Sequence, residues 1–310
     1  MAGRNRSLNA SFPSRVRVVD VGPRDGLQNE FAPVPVDHRI ALIESLAEAG
    51  LSAIECGSFV SPKWVPQMAD TAAVFKHMRR IPGVVYSALT PNLRGLEKAV
   101  ECRVNEVAVF VSASEAFSQA NINCSIAESL QRAEEVTVAA RAHSIPVRGY
   151  VSCVLGCPFT CEVALAEVVR IAKALRMIGC REISLGDTIG VGTPLQVQKM
   201  LDAVASELPI ESLAVHFHDT WGQALANILA SLELGISVID SAVAGLGGCP
   251  YAPGATGNVA TEDILVMLHG MGIETGVNLS KVAVAGRAIS AVLGKRPASK
   301  AAQAIAASLA

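Results

Sequence analysis

Aromatic residues are scarce in this sequence: they make up 4% of its 310 residues, although 51% of the residues are apolar. Charged residues are also few, at 17%, and the formal net charge of −2 gives no electrostatic reason to bind nucleic acid or an anionic membrane. No apolar run reaches the roughly 18 residues that a transmembrane helix needs. The sequence therefore predicts a soluble protein with a large aliphatic core, which suits parallel strands covered on both faces by helices.

The cysteines do not follow the spacing of a disulfide framework. Eight are present, and they are scattered singly through apolar segments. A chain of this length needs no disulfides to form a core. Reduced thiols and a cytoplasmic location are therefore expected.

A second domain is not indicated, because the chain has no linker, low-complexity block or internal repeat. Residues 1–14 carry Arg4 and Arg6 without an acidic residue, as transit peptides do, but the stretch is short and contains Pro13. We interpret residues 1–14 as a flexible tail. Residues 15–310 are predicted to form one barrel domain that includes a C-terminal helical extension.

Short β-branched runs alternate with longer stretches whose apolar residues are three and four positions apart, the period of an amphipathic helix. Eight strands are predicted, at 16–21, 53–56, 84–89, 106–111, 146–151, 182–185, 213–217 and 238–242. Helices are predicted at 37–49, 126–143, 163–178, 194–207, 222–234, 262–271, 279–293 and 299–309. This order favours an α/β fold, a closed TIM (β/α)8 barrel with extra C-terminal helices, although an open doubly wound sheet uses similar units.

Polar residues that interrupt apolar context fall at the carboxyl ends of the predicted strands. They are Arg24 and Asp25 after the first strand, Glu55 at the second, Asp187 after the sixth, His216 and His218 at the seventh, and Cys249 and Asn258 beyond the eighth. Barrel enzymes keep their active sites at this face. Unrelated surface charges would be distributed over both ends of the barrel, so these residues form the predicted site.

The tripeptide His216-Phe217-His218 predicts a metal site. Side chains two apart on a strand point the same way, so the imidazoles converge while Phe217 faces the helices. A pair of hydrogen-bonded core histidines is the alternative, but Asp25 and Asn258 on the same rim favour a metal. Two histidines, a carboxylate and an amide indicate octahedral Mg²⁺ or Mn²⁺ with open positions, rather than a closed structural zinc site.

Arg24 precedes Asp25 within the small and rigid context Gly22-Pro23-Arg24-Asp25-Gly26. A surface ion pair is one interpretation; the context favours a pair that a ligand can approach, with the arginine stabilising a developing oxyanion. Glu55 is expected to point into the barrel mouth, where a buried carboxylate needs a partner and Arg24 is the obvious one.

Cys249 follows a glycine run, residues 245–248, which is unlike the apolar surroundings of the other thiols. A thiol near a metal and an arginine has a lowered pKa and can exchange protons near neutrality, although a structural cysteine fits the local sequence equally well. The glycine run is not a dinucleotide fingerprint, because it follows the last strand and lacks the required spacing.

Further cysteines and histidines in the sequence are considered as metal ligands. Cys153, Cys157 and Cys161 approach the spacing of radical-type iron–sulfur ligands, but both gaps here contain three residues where that motif has three and then two. No cluster is therefore expected. The other histidines lie in predicted helices away from the rim and are expected to be solvated or structural; they are His38, His77, His143 and His269.

Five segments look like one known family. Residues 19–30 (VDVGPRDGLQNE) resemble the N-terminal signature of the 3-hydroxy-3-methylglutaryl-CoA lyase family. The others are residues 58–67 (SFVSPKWVPQ), 149–158 (GYVSCVLGCP), 182–194 (EISLGDTIGVGTP) and 242–251 (AVAGLGGCPY). The similarity runs in unbroken order from about Val16 to the last predicted helices, and runs this long are more specific than any single motif.

This resemblance implies a TIM barrel of the DRE-TIM metallolyase superfamily. Its expected reaction is cleavage of (S)-3-hydroxy-3-methylglutaryl-CoA to acetyl-CoA and acetoacetate, a step of leucine degradation and ketone body formation. The implied cofactor is Mg²⁺ or Mn²⁺, and the implied ligands are Asp25, His216, His218 and Asn258. A homodimer is also expected on this basis alone.

The resemblance assigns roles to the remaining rim residues. Arg24 would bind the substrate and stabilise the enolate-like thioester oxygen. Cys249 would transfer a proton to the acetyl-CoA fragment, while Glu55 and Asp187 would complete the polar site. Which residues contact the nucleotide of coenzyme A stays open: Lys63 and Arg148 are candidates for phosphate contacts, and each fits an ordinary surface charge equally well.

Three other functions are considered. A lyase for a bulkier 3-hydroxyglutaryl-CoA would use the same metal motif. A Claisen-type synthase that joins an acyl-CoA to a 2-oxoacid usually carries a further C-terminal domain, and this chain ends soon after the barrel. A non-catalytic barrel is disfavoured, because inactive descendants often lose one or more of the polar rim residues first.

Overall fold

The computed structural model describes residues 12–31, 33–248 and 257–308. Eight parallel strands form a closed barrel in sequential order, and the first strand pairs with the eighth. In chain order they are Arg17–Asp20 (β1), Ala53–Ser58 (β2), Val85–Leu89 (β3), Glu106–Ser112 (β4), Val147–Ser152 (β5), Glu182–Asp187 (β6), Leu213–Phe217 (β7) and Val238–Ser241 (β8). The predicted TIM barrel is confirmed, and the open doubly wound sheet is excluded.

Helices follow the strands and surround the barrel. Those within the described residues are Val36–Glu48 (α1), Thr71–His77 (α2), Leu93–Glu101 (α3), Glu115–Ile122 (α4), Ile126–Ala142 (α5), Leu165–Ile178 (α6), Pro194–Ala205 (α7), Ala224–Leu232 (α8), Thr261–Gly270 (α9), Leu279–Val292 (α10) and Lys300–Ser308 (α11). The sequence did not predict α2, α3 or α4. With seven to nine residues each, these helices span about two turns, which is too short for a clear periodic signal.

The alternation of side chains along β7 shows how the core is divided. Val215 and Phe217 belong to the main apolar cluster between the barrel and its helices, whereas Ala214 belongs to a small separate cluster. Because successive strand residues face opposite sides, His216 points into the barrel. The prediction that Phe217 faces the helices is confirmed.

The barrel interior is unusually polar for a TIM barrel, in which branched apolar residues usually fill the centre. Arg148 on β5 is 2% exposed and forms a bidentate ion pair with Asp240 on β8, at 2.7 and 3.1 Å. Its Nε donates to Glu182 at 2.8 Å. The suggestion that Arg148 is a phosphate contact or a surface charge is therefore wrong, because the side chain is sealed inside the barrel.

The C-terminal helices complete the outer layer. Helix α10 packs against α1, and α11 is fixed to α9 through Asp263, whose Oδ1 accepts hydrogen bonds from Ser299 Oγ and Ala301 N, both at 2.7 Å. Of the predicted N-terminal tail only residues 12–14 are described, and the carbonyl of Ser14 accepts a hydrogen bond from Glu274 N at 3.0 Å. Among the described residues, no helix is both long and apolar enough to cross a membrane.

Candidate active site

A tight turn after β1 presents Arg24 and Asp25 to the barrel mouth. The carbonyl of Val21 accepts hydrogen bonds from the backbone N–H of both residues and of Gly26, at 3.1, 2.7 and 3.2 Å, which forms a π-helical turn over Gly22–Gly26. Gly26 has to be small, because a Cβ there would lie 2.6 Å from the Cβ of Leu246. The glycine thus lets the loop after β8 pack against the turn.

Arg24 is held between two carboxylates. Its Nε donates to Glu55 Oε2 at 2.6 Å, and its Nη1 donates to Asp25 Oδ1 at 2.8 Å. The arginine and Glu55 are buried, and burial raises the pKa of the Glu55 carboxyl although Arg24 opposes the shift. The predicted pairing of Glu55 with Arg24 is confirmed, and Nη2 of Arg24 forms no hydrogen bond with any described residue.

Asp25, His216 and His218 meet at the mouth of the barrel. One candidate donor atom from each lies within 4.8 Å of the others, and no other such group of three or more His, Cys, Asp or Glu residues occurs among the described residues. His218 Nε2 is 4.0 Å from Asp25 Oδ2, and the two imidazole centroids are 5.4 Å apart. The predicted convergence of the two histidines is confirmed.

Asn258 reaches the same place because its segment runs antiparallel to the end of β7. The backbone forms a bridge between His218 and Asn258, and Val259 N donates to Phe217 O at 3.1 Å. The amide Nδ2 of Asn258 donates to Asp25 Oδ2 at 2.7 Å. All four residues that the sequence suggested as metal ligands therefore lie together.

The charge state of these groups suits a cation. Burial alone would raise the pKa of Asp25, but Arg24, the two histidines and the Asn258 hydrogen bond outweigh it and lower this pKa to about 2. Burial and the neighbouring His216 lower the pKa of His218 to about 4. At neutral pH the site thus offers a carboxylate and a neutral imidazole, the forms that bind metals.

Three buried atoms of the mouth, Glu55 Oε1, His216 Nδ1 and His218 Nδ1, lack a hydrogen-bond partner among the described residues. His218 Nδ1 makes no hydrogen bond among the described residues, although burial of an unpaired polar atom is costly. Two imidazoles, a carboxylate and an amide form a mixed nitrogen and oxygen donor set. The residues present fit a divalent metal ion.

Asp240 and Tyr150 belong to the site's surroundings, and the sequence did not single them out. Asp240 Oδ2 lies 3.3 Å from His216 Nδ1, a position from which a carboxylate orients a metal-binding imidazole. The Tyr150 hydroxyl lies 3.5 Å from Glu55 Oε2, and its ring stands 5.7 Å from the Arg24 guanidinium. In both cases the sequence could have identified the residue, because each is a polar side chain at an inward-facing position of a predicted strand.

Asp187 lies at the same rim but turns its carboxylate toward its own loop. It accepts hydrogen bonds from Gly192 N at 2.8 Å and Val191 N at 3.3 Å. Burial raises its pKa to about 6, although these backbone donors oppose the shift. Its direct contact in the structure is therefore with the loop after β6, and its part in the reaction stays a prediction.

Cys249 lies outside the described residues. The glycines on either side of that stretch, Gly247 and Gly257, are in close contact: a Cβ on Gly257 would lie 2.6 Å from the carbonyl carbon of Gly247. A Cβ on Gly247 would lie 2.9 Å from Asn258 Nδ2. Gly247, two residues before Cys249 in sequence, thus lies beside Asn258.

The three cysteines of the alternative cluster motif are arranged differently from a ligand set. Cys157 and Cys161 face each other across an antiparallel bridge, with reciprocal backbone hydrogen bonds of 3.1 and 3.0 Å. The thiol of Cys157 is 3.0 Å from Ser114 Oγ. The three sulfur atoms do not form a close donor group of the kind seen at the barrel mouth.

The fold and the site together define a TIM-barrel enzyme with a divalent-metal site at the carboxyl ends of its strands. Residues 15–289 match the family model described as HMGL-like, and the chain belongs to this family.

Two relatives have closely similar sequences. A protein of Pseudomonas aeruginosa, a 3-hydroxy-3-isohexenylglutaryl-CoA/hydroxy-methylglutaryl-CoA lyase, is 60% identical over 95% of this chain and 98% of its own length. The mitochondrial hydroxymethylglutaryl-CoA lyase of Bos taurus is 59% identical over 95% of this chain and 90% of its own.

Solved structures of two lyases named for the same substrate superimpose closely on this chain. The hydroxymethylglutaryl-CoA lyase of Pseudomonas aeruginosa superimposes with a TM-score of 0.94 at 60% identity, covering 96% of this chain and 99% of that one. An HMG-CoA lyase from "Acenitobacter baumannii", solved with coenzyme A and 3-methylmalate, superimposes with a TM-score of 0.90 at 38% identity over 94% and 95% of the two chains.

Proposed function

We propose that this chain is a divalent-metal-dependent carbon–carbon lyase that cleaves (S)-3-hydroxy-3-methylglutaryl-CoA to acetyl-CoA and acetoacetate. The observation that carries the proposal is the meeting of Asp25, His216 and His218 at the barrel mouth, next to the buried Arg24–Glu55 pair. Membership of the HMGL-like family and relatives 59–60% identical that carry out this type of reaction support it.

Asp25, His216, His218 and Asn258 would hold the metal, and we propose Mg²⁺ or Mn²⁺. When bound, such an ion supplies Lewis-acid chemistry that lowers the pKa of the substrate's 3-hydroxyl group. The protein's own contribution is to keep the donors in place: Arg24 and Asn258 each hydrogen-bond one oxygen of the Asp25 carboxylate. Asp240 Oδ2 lies 3.3 Å from His216 Nδ1, where its carboxylate would orient this imidazole.

Arg24 would receive the negative charge that develops during cleavage. When the 3-hydroxyl loses its proton, the bond between C2 and C3 breaks, the new carbonyl becomes that of acetoacetate, and the electron pair moves into the thioester as an enolate. Glu55 and Asp25 fix two edges of the guanidinium, which leaves Nη2 to donate to the enolate oxygen. Donors preorganised in this way stabilise an oxyanion far better than mobile water does.

Cys249 is proposed to deliver the proton that converts the enolate to acetyl-CoA. The support is its sequence position two residues after Gly247, which contacts Asn258 at the metal site. A thiol next to a cation and a guanidinium exchanges protons near neutral pH. We also propose a homodimer, on the basis of the family resemblance, and a cytoplasmic location, on the basis of the scattered cysteines and the short N-terminal tail.

A bulkier 3-hydroxyglutaryl-CoA is the second candidate substrate. The name of the Pseudomonas relative includes 3-hydroxy-3-isohexenylglutaryl-CoA beside the methyl compound. The metal-binding residues act on the part that both substrates share, so they do not distinguish the two. Apolar side chains at the barrel mouth would determine which substituent at C3 of the substrate is accepted.

The test is release of acetyl-CoA and acetoacetate from 3-hydroxy-3-methylglutaryl-CoA, measured with Mg²⁺ or Mn²⁺ and again after chelation. Fast cleavage that disappears on chelation and returns with metal is the expected result. A folded, metal-loaded protein that cleaves only the isohexenyl substrate would shift the assignment to the second candidate. One that cleaves neither would contradict the proposed function.

A further inference from the structure

A short hairpin after β5 brings two cysteines opposite each other. Cys157 and Cys161 exchange both backbone hydrogen bonds: Cys157 N donates to Cys161 O at 3.1 Å, and Cys161 N donates to Cys157 O at 3.0 Å. Residues paired in this way across an antiparallel ribbon have Cα atoms about 5.5 Å apart. A disulfide joins residues whose Cα atoms are about 4.4–6.8 Å apart, so the backbone already holds this pair at bridging distance.

Both cysteines line one cavity, whose volume is about 680 Å³. Its other walls come from the loops after β5 and β6 and include Leu155, Val163 and Val191. Cys161 is exposed, whereas Cys157 is buried, so a reagent in solution reaches Cys161 first. Because Cys161 is exposed, its side chain can change rotamer without displacing packed neighbours.

The surroundings of Cys157 favour its thiolate form. Its Sγ lies 3.0 Å from Ser114 Oγ and accepts a hydrogen bond from Phe159 N at 3.4 Å. Burial alone would raise the pKa of this thiol, but hydrogen bonds, first of all the one from Ser114, outweigh burial and lower the pKa. By contrast, burial raises the pKa of Cys56 and of Cys180. The thiolate is the form that attacks an oxidised sulfur atom, so Cys157 is suited to this step.

The hairpin packs on the loop that holds Asp187. A Cβ on Gly156 would lie 2.7 Å from Val191 Cγ2 and 3.5 Å from the carbonyl oxygen of Cys161. The backbone N–H of Val191 donates to Asp187 at 3.3 Å. The cysteine pair therefore lies at the carboxyl end of the barrel, separated from the rim residue Asp187 by a single loop.

We propose that Cys157 and Cys161 form a dithiol that a peroxide oxidises to an intramolecular disulfide. The Cys161 thiolate attacks one oxygen of hydrogen peroxide, which breaks the O–O bond, leaves Cys161 as a sulfenic acid and releases hydroxide. The Cys157 thiolate then attacks the sulfenic sulfur, so that the S–S bond forms and a second hydroxide leaves. The two hydroxides take up the protons lost from the two thiols. One peroxide and two thiols thus give one disulfide and two waters.

Such a disulfide should be easily reduced again. The entropy that a disulfide removes from the unfolded chain grows with the loop that it closes, and only residues 158–160 lie between these cysteines. Exposed disulfides also have the more oxidising potentials that are typical of labile bonds. The pair is therefore expected to respond to the redox state of its surroundings and not to hold the fold together. The inference does not depend on the proposed function, since neither thiol has a part in the cleavage.

The experiment treats the reduced full-length protein with hydrogen peroxide and then labels the remaining thiols with N-ethylmaleimide under denaturing conditions. Mass spectrometry follows the tryptic peptide of residues 149–170, which contains three cysteines, at 153, 157 and 161. Before oxidation the peptide should carry three labels. After oxidation it should carry a single label, on Cys153, and lack two hydrogens. Dithiothreitol should restore all three labels.

Cys161→Ser is the test variant, and Cys102→Ser, which changes a half-buried thiol at the end of α3, is the matched control. The peptide of Cys161→Ser should keep both of its labels after peroxide treatment, because Cys157 has lost its partner. The control protein should lose two labels, as the wild-type protein does. Circular dichroism before oxidation verifies that both variants are folded.

The proposal is overturned if the peroxide-treated wild-type peptide keeps three labels, or if its single label lies on Cys157 or Cys161. Recovery of the lost thiols only as sulfinic or sulfonic acids would overturn it too. The same holds for a disulfide that joins this peptide to the one containing Cys249, because the partner would then be a different thiol. The lyase assay is a separate measurement, so failure of the proposed function leaves this test unchanged.

Discussion

The barrel interior contains two groups of buried polar side chains, one in the middle of the strands and one at the mouth, and they differ in how their atoms are paired. In the middle, all the guanidinium nitrogens of Arg148 donate hydrogen bonds, to Glu182, Tyr150 and both oxygens of Asp240. At the mouth, His216 Nδ1, His218 Nδ1 and Glu55 Oε1 have no hydrogen-bond partner among the described residues.

This difference in pairing indicates that the middle group stabilises the fold and that the group at the mouth binds a ligand. Buried polar groups that satisfy each other stabilise one arrangement of the chain, because breaking any pair leaves an uncompensated charge. Buried polar groups without a partner are costly, and at a site open to ligand a bound ion or substrate can complete them. We therefore expect substitutions in the middle group to lower stability first and substitutions at the mouth to lower turnover first.

The largest effect is expected for Arg148→Met. Removing this arginine leaves Asp240 without its main partner inside the barrel and leaves Glu182 paired only with Arg17, so the free energy of unfolding should fall by about 3–5 kcal/mol. Denaturant unfolding followed by circular dichroism measures it. The control is Arg170→Met, which removes an exposed pair with Glu167 and should cost less than about 1 kcal/mol. Equal stability of the two variants would show that the middle group is not structural.

Arg24→Met should lower kcat by at least about 10²-fold, the usual cost of losing one oxyanion donor. The protein should remain folded, since Glu55 can take up a proton when its partner is gone. Steady-state kinetics measures turnover, and a thermal unfolding curve measures stability. The comparison variant is Arg24→Lys, which keeps the positive charge but lacks the planar guanidinium with its several donors. Near-normal turnover in folded Arg24→Met protein would contradict the role of Arg24.

Cys249→Ala should suppress turnover while leaving the bound metal unchanged, because the thiol is proposed to move a proton and not to bind the ion. The expected loss is about 10²-fold. Metal content measured by elemental analysis is compared with that of Cys102→Ala, which removes a thiol from the end of α3. Loss of metal in the Cys249 variant would mean that the thiol has been assigned the wrong role.

The last prediction concerns a buried carboxylate outside both groups, whose effect appears only as the pH is changed. Burial raises the pKa of Glu262 to about 8, although backbone donors oppose the shift. The folded state then holds its proton more tightly than the unfolded state, so this contribution to stability is complete below about pH 4.5 and is lost as pH rises toward 8.

Glu262→Gln should therefore flatten the pH dependence of stability between these limits, where the slope from one group is at most about 1.4 kcal/mol per pH unit. Denaturant midpoints measured across this range test it, and Glu233→Gln, an exposed site, serves as the control. An unchanged slope in the Glu262 variant would show that this group does not carry the dependence.

Much of the fold could be predicted because local patterns determine it. The strand Leu213–Phe217 was predicted with its observed bounds, and its alternation placed His216 inside the barrel. Residues at strand ends shared one rim because parallel strands in a barrel point the same way. The short helices α2 to α4 were missed, since about two turns give little periodic signal.

What the sequence by itself determined is the order of strands and helices, the rim to which Arg24, Asp25 and His216 belong, and the family to which the motifs point. Only the tertiary structure decided which polar residues are partners. Arg148 and Asp240 are 92 positions apart, and Asp20 and Thr261 are 241 positions apart. Barrel closure brings such residues together, and no pattern of neighbouring residues encodes a contact made across the barrel.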